Sequence, residues 1–205
     1  MKYLFLDIET VPIEIKDETI REYLMDKQIS KEMRAFNPSY SKIITICIKP
    51  LGEEIITLTG NETEILTKMW QILSNENQKE KITIVTHNGY QFDIPFLILR
   101  SITNDVTISI NINTNKWSME NSNHFDTMLF FSQYGTFTNT RLTILGKMFD
   151  IETPGEGVSG ADVERLYHEG KIELINKHCK EDVELLEKVF SKKCIKHLEA
   201  RRSRL

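Results

Sequence analysis

The amino-terminal segment is the feature that most limits how this chain folds. Residues 2–9 alternate as a strand does, which places Asp7 and Glu9 on one face with two aromatic rings and leaves aliphatic side chains on the other. The apolar neighbours predict that this strand lies inside the protein. Two like charges on one face of such a strand repel each other and lose hydration unless a cation lies between them. The alternative is that both acids lie at a solvent-exposed end of the strand.

Further strands and helices follow along the chain. The sequence predicts strands at residues 43–48, 54–58, 82–86 and 106–112, and helices that begin after Asn61 and at Phe92, Asp126, Leu142, Ala161 and Lys171. A turn at residues 51–53 predicts that the first three strands are antiparallel. This order predicts an α/β fold, in which helices pack on the faces of a mixed central β-sheet. The length of 205 residues favours one domain, residues 1–205.

Composition places the chain among ordinary globular proteins, with 40% hydrophobic and 27% charged residues. No apolar run approaches the roughly 20 residues that a membrane-spanning helix needs, so we expect no membrane partner and a cytoplasmic location. The cysteines Cys47, Cys179 and Cys194 are odd in number and lack CxxC spacing. This pattern indicates reduced, buried thiols and favours neither a disulfide framework nor a thiolate zinc site.

Charge is distributed unevenly along the chain. The formal net charge of -4 argues against a protein that coats nucleic acid through bulk positive charge. The predicted helical tail, at about residues 190–205, is nevertheless basic. Its cations suit the negative end of a helix dipole, and the alternative is that they contact phosphates.

Further scattered carboxylates, at strand and helix ends, match the needs of phosphodiester hydrolysis. That reaction needs an activated water and stabilised charge on two oxygens, which two divalent cations about 4 Å apart supply. Mg²⁺ and Mn²⁺ prefer carboxylates to thiolates. Asp93 follows a predicted strand and opens a helix, where an ordinary N-cap is the alternative. Asp182 shares a helical face with His178, and its alternative is a buried ion pair or a loop cap.

Three segments in order resemble the motifs of the DEDD (DnaQ-like) superfamily of 3′-5′ exonucleases. They are residues 5–10 (FLDIET), residues 88–93 in the form Asn-x-x-x-Phe-Asp, and residues 178–182 (HCKED). The likeness is closest to small stand-alone exonucleases related to the proofreading domain of family-B DNA polymerases. Residues 125–129, 154–160 and 171–183 also resemble that group. We interpret Asp126 as a helix cap and not as a metal ligand.

The resemblance implies an RNase H-like fold and a specific set of site residues. It implies that two divalent cations, Mg²⁺ or Mn²⁺, are held by Asp7, Glu9, Asp93 and Asp182. It also implies that Thr10, Asn88 and Phe92 position a 3′-terminal nucleotide. The implied substrate is single-stranded DNA, with RNA as the alternative, and the implied products are nucleoside 5′-monophosphates.

His178 departs from both branches of the superfamily. One branch has Tyr four residues before the last Asp, and the other has His five residues before it. This chain has His at the tyrosine spacing. Because one residue turns a helical side chain by about 100°, we infer a tyrosine-type layout with histidine as the general base. The alternative is a helix histidine that only hydrogen-bonds a carboxylate.

Two other functions stay open at the level of sequence. One is a non-catalytic nucleic-acid-binding module of the same fold, and metal-independent binding without cleavage would favour it. The other is an exoribonuclease or a phosphodiesterase that acts on short oligonucleotides. Competition between a dinucleotide and a long strand would separate short-substrate from long-substrate activity. Residue types do not identify a protein partner.

Overall fold

A computed structural model describes residues 1–117, 122–155 and 157–202, without the side chains of residues 31, 32, 201 and 202. The strands are β1 (Lys2–Pro12), β2 (Ser41–Pro50), β3 (Ile56–Thr59), β4 (Ile82–Thr86) and β5 (His124–Asp126). They form one sheet in the order β3-β2-β1-β4-β5. Strands β1, β2 and β3 pair antiparallel, while β4 pairs parallel with both β1 and β5. The predicted mixed sheet and its three antiparallel opening strands are therefore confirmed.

The helices are α1 (Glu18–Asp26), α2 (Lys31–Ala35), α3 (Glu62–Lys79), α4 (Asp93–Thr103), α5 (Thr127–Phe131), α6 (Leu142–Met148), α7 (Val163–His168), α8 (Ile172–Val189) and α9 (Ile195–Arg202). Helices α3 and α4 pack on one face of the sheet, in a core cluster that includes Leu4, Leu6 and Ile8. Helix α8 packs on the other face, in a cluster that includes Tyr3 and Phe5. The predicted alternation of β1 is confirmed, and burial on both faces makes β1 the centre of the fold.

The predicted strand at residues 106–112 is wrong. Val106, Ile108 and Ile110 pack against the α3 and α4 side of the core, while the residues between them are exposed. This alternation is the pattern of a strand, but the segment has no regular secondary structure and packs over α3. Ser109 Oγ donates a hydrogen bond to the carbonyl of Trp70 in that helix. The free edge of β4 is paired with β5 instead.

Helices α1 and α2, in the segment between β1 and β2, were not predicted. Helix α1 has an N-cap, Asp17, but Leu24 is its one buried residue. Its other apolar side chains, Ile20, Tyr23 and Met25, are exposed. A helix with so little buried surface lacks the apolar stripe by which sequence reasoning finds helices.

The carboxy-terminal helix runs on from α8 through a π-helical turn, Phe190–Cys194, into α9. This confirms the predicted helical tail as far as residue 202, while residues 203–205 lie outside the described part. Lys192 Nζ donates hydrogen bonds to the carbonyls of Phe149 (2.6 Å) and Asp150 (3.2 Å), directly after α6. Lys192 therefore caps the end of α6, a different helix from the one whose dipole the basic tail was predicted to suit. Of the helices that the structure describes, none has the length and apolarity to cross a membrane.

Candidate active site

Strand β1 carries the first two candidate ligands into the middle of the sheet. Asp7 lies opposite Cys47 and Glu9 opposite Thr45 on β2. The pairing register shifts directly after Glu9, between Glu9 and Thr10, which marks a β-bulge. Bulges re-aim side chains and are frequent beside active sites. Glu9 is only 8% exposed, so the alternative of two acids at a solvent-exposed strand end is wrong for Glu9.

Asp93 comes to the same place from α4. It is the first helical residue and is 2% exposed. The alternative of an ordinary N-cap is wrong, because Phe92 occupies the N-cap position. Asp93 Oδ1 is buried and has no hydrogen-bond partner among the described residues. A buried carboxylate oxygen without a partner is costly, and such an atom calls for a cation or water that binds it.

Helix α8 supplies the remaining candidates. A buried hydrogen bond of 2.8 Å from Thr45 Oγ1 to Asn176 Oδ1 fixes this helix on β2. His178 Nε2 lies 3.7 Å from Glu9 Oε1 and 3.8 Å from Asp182 Oδ2. Both distances exceed that of a hydrogen bond, so the ring lies between two carboxylates without a direct bond to either.

Electrostatics ties the four carboxylates together. Burial raises the pKa of Asp7 well above its ordinary value, and the charges of the other three acids raise it further. Burial also raises the pKa of Glu9, and it raises the pKa of Asp93 to about 8. Burial raises the pKa of Asp182 as well, although His178 opposes the shift. Buried like charges that perturb one another in this way are stabilised by a divalent cation.

Two thiols lie directly under the carboxylates, and sequence reasoning assigned them only to the core. Cys179 Sγ donates a weak hydrogen bond of 3.6 Å to the main-chain carbonyl of Asp7. Cys47, on β2, is its hydrogen-bonding neighbour. One ligand atom each from Asp7, Glu9 and Cys179 lie within 4.8 Å of one another. The position of Cys179 beside His178, on the face of α8 that meets β1, was the signal available in the sequence.

The turn that leads into Asp93 is held by Asp126. Asn88 has a left-handed backbone with φ of 77°, which is uncommon for a residue other than glycine. The Asp126 carboxylate accepts hydrogen bonds from the N–H groups of Asn88 (3.0 Å), Tyr90 (3.1 Å) and Leu129 (3.1 Å). The predicted cap role of Asp126 at α5 is confirmed, and the same side chain also clamps the Asn88 turn. Within that turn a Cβ on Gly89 would lie 2.1 Å from Thr86 Oγ1, so only glycine fits.

Two of the predicted substrate-binding residues, Thr10 and Phe92, follow or precede a candidate ligand directly in the sequence and contact the segment around α2. Thr10 Oγ1 donates a hydrogen bond of 2.9 Å to the carbonyl of Ala35, so its side chain ties β1 to α2. Phe92 contacts Phe36, with ring centroids 6.0 Å apart in an edge-to-face geometry. Phe36 is 72% exposed. Sequence reasoning missed Phe36, because the segment that carries it has no clear pattern.

Two other histidines near the site have structural roles. His87 Nδ1 and Nε2 bond the Thr127 hydroxyl (2.8 Å) and the Thr140 carbonyl (3.0 Å). His124 Nε2 bonds the Thr86 hydroxyl at 2.8 Å. Burial lowers the pKa of His87 to about 4 and the pKa of His124 to about 3. Both rings are therefore neutral at physiological pH.

Comparison with known proteins shows the family of the chain. A family described as a predicted 3′-5′ exonuclease related to the exonuclease domain of PolB matches residues 34–190. The match includes Asp93, His178 and Asp182, and it begins after Asp7 and Glu9. No curated protein matches the chain.

Among solved structures, the family B DNA polymerase from the hyperthermophilic archaeon Pyrobaculum calidifontis is similar, with a TM-score of 0.69 at 13% identity. The similarity covers 93% of this chain and 24% of the polymerase, so this chain spans about a quarter of that protein's length. It confirms the RNase H-like fold. Because the family match covers well over half of the 205 residues, the chain belongs to the family of predicted 3′-5′ exonucleases related to the exonuclease domain of PolB.

Proposed function

We propose that this protein is a two-metal-ion 3′-5′ exonuclease that hydrolyses single-stranded nucleic acid, with DNA preferred to RNA, and releases nucleoside 5′-monophosphates. The observation that carries the proposal is the convergence of four acids from three elements. Two come from the central strand, one from the start of α4 and one from α8. Their mutual effect on pKa indicates that they share one small region.

The donor set fits Mg²⁺ or Mn²⁺. Four carboxylates supply hard oxygen ligands, which these cations prefer. The partnerless oxygen of Asp93 is the specific point at which a cation would replace a missing interaction. Asp7, Glu9, Asp93 and Asp182 would hold the cations, since the charges of the other three acids raise the pKa of Asp7. Divalent cations at such a site neutralise charge on the attacking and leaving oxygens.

His178 is proposed to take the proton from the attacking water. Its Nε2 lies beside Glu9 and Asp182 and is 3.7–3.8 Å from each. Imidazole is the side chain that most often accepts a proton from a reacting group, and here it lies between two of the carboxylates proposed to hold the cations. The hydrogen bond between Thr45 and Asn176 holds α8 against β2 two residues before His178.

The aromatic pair of Phe36 and Phe92 is proposed to bind the bases at the 3′ end of the substrate. Phe36 and Phe92 form an edge-to-face pair next to the Thr10 bulge, and Phe36 presents most of its ring to solvent. Bases of single strands stack on such rings without regard to sequence. The side chain of Asn88 is proposed to add a polar contact to the substrate. It is half-buried in the turn after β4 that Asp126 holds.

A 5′-labelled single strand tests this function. With Mg²⁺ or Mn²⁺ the strand should shorten one nucleotide at a time, while a strand with a blocked 3′ end should stay intact. Separate assays with a DNA strand and with an RNA strand of the same sequence measure the preference for deoxyribose or ribose. An assay with a labelled dinucleotide measures the preference for short substrates. Binding without shortening, across several metals and temperatures, would show a non-catalytic module instead. Faster hydrolysis of the dinucleotide than of the long strand would point to an oligonucleotide phosphodiesterase.

A further inference from the structure

We propose that Asp7, Glu9 and Cys179 form a second mode of metal binding, selective for thiophilic divalent cations such as Zn²⁺ and Cd²⁺. This mode adds a sulfur ligand to two of the carboxylates discussed above. It differs from an all-oxygen site in the type of cation it selects. It also lies deeper, since Cys179 is fully buried between α8 and β1.

The geometry is close to that of a three-ligand site. The three ligand atoms lie within 4.8 Å of one another. A Zn–S bond of about 2.3 Å and a Zn–O bond of about 2.1 Å place sulfur and oxygen about 3.6 Å apart in tetrahedral geometry. From separations of up to 4.8 Å, closure therefore requires the sulfur and oxygen atoms to approach by about 1.2 Å at most, which is within the range of rotation of the two carboxylates.

A second observation points to a cation in the same region. Asp93 Oδ1 is buried and has no partner among the residues that the structure describes. The charge of Asp93 acts on both Asp7 and Glu9. A cation drawn toward Cys179 thus remains within the field of a third carboxylate, which adds to its binding.

The sulfur ligand decides which metal is favoured. Thiolates bind Zn²⁺ and Cd²⁺ strongly and Mg²⁺ weakly, because Mg²⁺ keeps hard oxygen ligands. On binding, the S–H bond of Cys179 breaks, a sulfur–metal bond forms, and the proton passes to solvent. The weak hydrogen bond from this thiol to the carbonyl of Asp7, 3.6 Å long, is the interaction given up.

The consequence for activity rests on the proposed function. Zn²⁺ bound in this mode takes two carboxylates away from Mg²⁺ or Mn²⁺, so it should inhibit the exonuclease. The binding itself is measured without substrate. A failure of the exonuclease proposal and a failure of this one are therefore separate results.

Spectroscopy with Co²⁺ and Cd²⁺ tests the site on the full chain, freshly reduced and free of other metals. A thiolate bound to either ion gives a ligand-to-metal charge-transfer band in the ultraviolet, which carboxylates and serine do not give. The wild-type protein should show this band with a stoichiometry of one ion per chain. Excess Mg²⁺ should raise the concentration of Co²⁺ needed to produce it.

Matched variants identify the sulfur. Cys179→Ser should lose the band, whereas Cys194→Ser should keep it. Cys194 is also a free, fully buried cysteine on the same helical run, but it lies 15 residues, or roughly 22 Å, farther along the axis. Circular dichroism checks that both variants fold, and Cys179→Ala is the substitute if the serine variant does not.

Asp7→Asn tests the carboxylate contribution. It should weaken Co²⁺ binding by more than about tenfold, since even an outer-shell partner is worth that much. Absence of the band in the wild-type protein would overturn the proposal. Persistence of the band in folded Cys179→Ser, through Cys47 or any other thiol, would also overturn it, as would unchanged binding by Asp7→Asn.

Discussion

Asp126 shows how a single side chain prepares the site without touching a reacting atom. Its carboxylate joins the end of β5, the start of α5 and the Asn88 turn through three main-chain hydrogen bonds. That turn holds Asn88 in a left-handed conformation just before α4 delivers Asp93. A strained turn persists only where its surroundings determine it, and Asp126 is that determinant.

Replacing Asp126 with asparagine should damage both stability and catalysis. The variant keeps the shape but loses the charge and one acceptor oxygen, and hydrogen bonds to charged groups are worth about 1.5–3 kcal/mol. Urea unfolding should show a loss of this size, and kcat should fall more than KM rises. The exposed Asp26→Asn serves as the control. Unchanged kcat in a destabilised Asp126→Asn would leave Asp126 with a purely structural role.

His178 carries a second prediction at this scale. His178→Phe removes the proton acceptor and should lower kcat by about 10²–10⁴-fold with a smaller change in KM. His178→Tyr restores a hydroxyl that can orient water, so it should retain more activity than the phenylalanine variant. Single-turnover rates measure both. Equal rates for wild type and His178→Phe would remove the histidine from the reaction.

The sequence predicted residues whose position follows from a single element. Asp7 and Glu9 share a face because strands alternate, and His178 and Asp182 share one because helices repeat. Cys179 and Phe36 were missed as site residues because their contacts are long-range. Cys179 meets a carbonyl 172 positions away, and Phe36 meets a ring on another element. No local pattern encodes the contact of Phe36, and the position of Cys179 beside His178 indicates only the helix face on which its thiol lies.

At the scale of elements, the carboxyl end of α2 lies beside the strand that carries the candidate ligands. Ser30 caps α2, and Ala35 at its end accepts the hydrogen bond from Thr10. This attachment places Phe36 against Phe92 at the start of α4. The carboxyl end of α2 is thus held by hydrogen bonds that the carbonyls of Arg34 and Ala35 accept from Ser41 and Thr10.

Phe36→Ala should weaken the binding of single strands. Stacking of one base on an aromatic ring is worth about 1–3 kcal/mol, so KM should rise by about 5–150-fold while kcat changes less. Phe36→Tyr should bind nearly as well as wild type. Phe137→Ala is the matched control, since Phe137 is an exposed ring at 65%. An equal KM for Phe36→Ala and the control would exclude stacking at Phe36.

The prediction of strands and helices was wrong where the burial of side chains does not match the hydrogen bonding of the backbone. Residues 106–112 bury alternate side chains but belong to no strand, because β5 pairs with β4. Helix α1 forms with one buried residue and therefore shows no amphipathic stripe. By contrast, α3 and α8 bury apolar stripes over 18 residues each, and both were predicted.

Over the whole molecule, the sequence predicted the type of sheet but not the full strand order, β3-β2-β1-β4-β5. In this RNase H-like fold the central strand is buried, two antiparallel strands lie on one side of it and two parallel strands lie on the other. The pattern of strands and helices in the sequence predicted that the sheet is mixed. The edge position of β5 was not predictable, because its three residues are too few to show a period. The fold brings the carboxylates together at β1, where α4 and α8 meet it from opposite faces.

Acid should destabilise the protein through His87 and His124. Burial lowers their pKa values to about 4 and about 3, while an unfolded histidine titrates near about 6.5. Below that pH the unfolded chain binds more protons, so the free energy of unfolding should fall as pH drops from about 6.5 to about 4. The loss for His87 is about 3 kcal/mol. Urea unfolding across this range measures it.

The buried acids change the free energy of unfolding with pH in the direction opposite to the histidines, so the two contributions must be measured separately. The raised pKa of Asp93, about 8, gives stability that is present at low pH and lost as pH rises through that value. The histidine contribution is therefore the difference between wild type and the variants His87→Gln and His124→Gln, with exposed His168→Gln as control. Parallel pH profiles for wild type and both variants would contradict it.

The central claim is that Asp7, Glu9, Asp93 and Asp182 together carry metal-dependent cleavage. The most direct measurement is the rate at which the first nucleotide leaves the 3′ end of a 5′-labelled single strand at saturating Mn²⁺. Asp7→Asn, Glu9→Gln, Asp93→Asn and Asp182→Asn should each lower it by about 10²-fold or more. The exposed Asp105→Asn should match wild type. Wild-type rates in any of the four folded variants would contradict the claim.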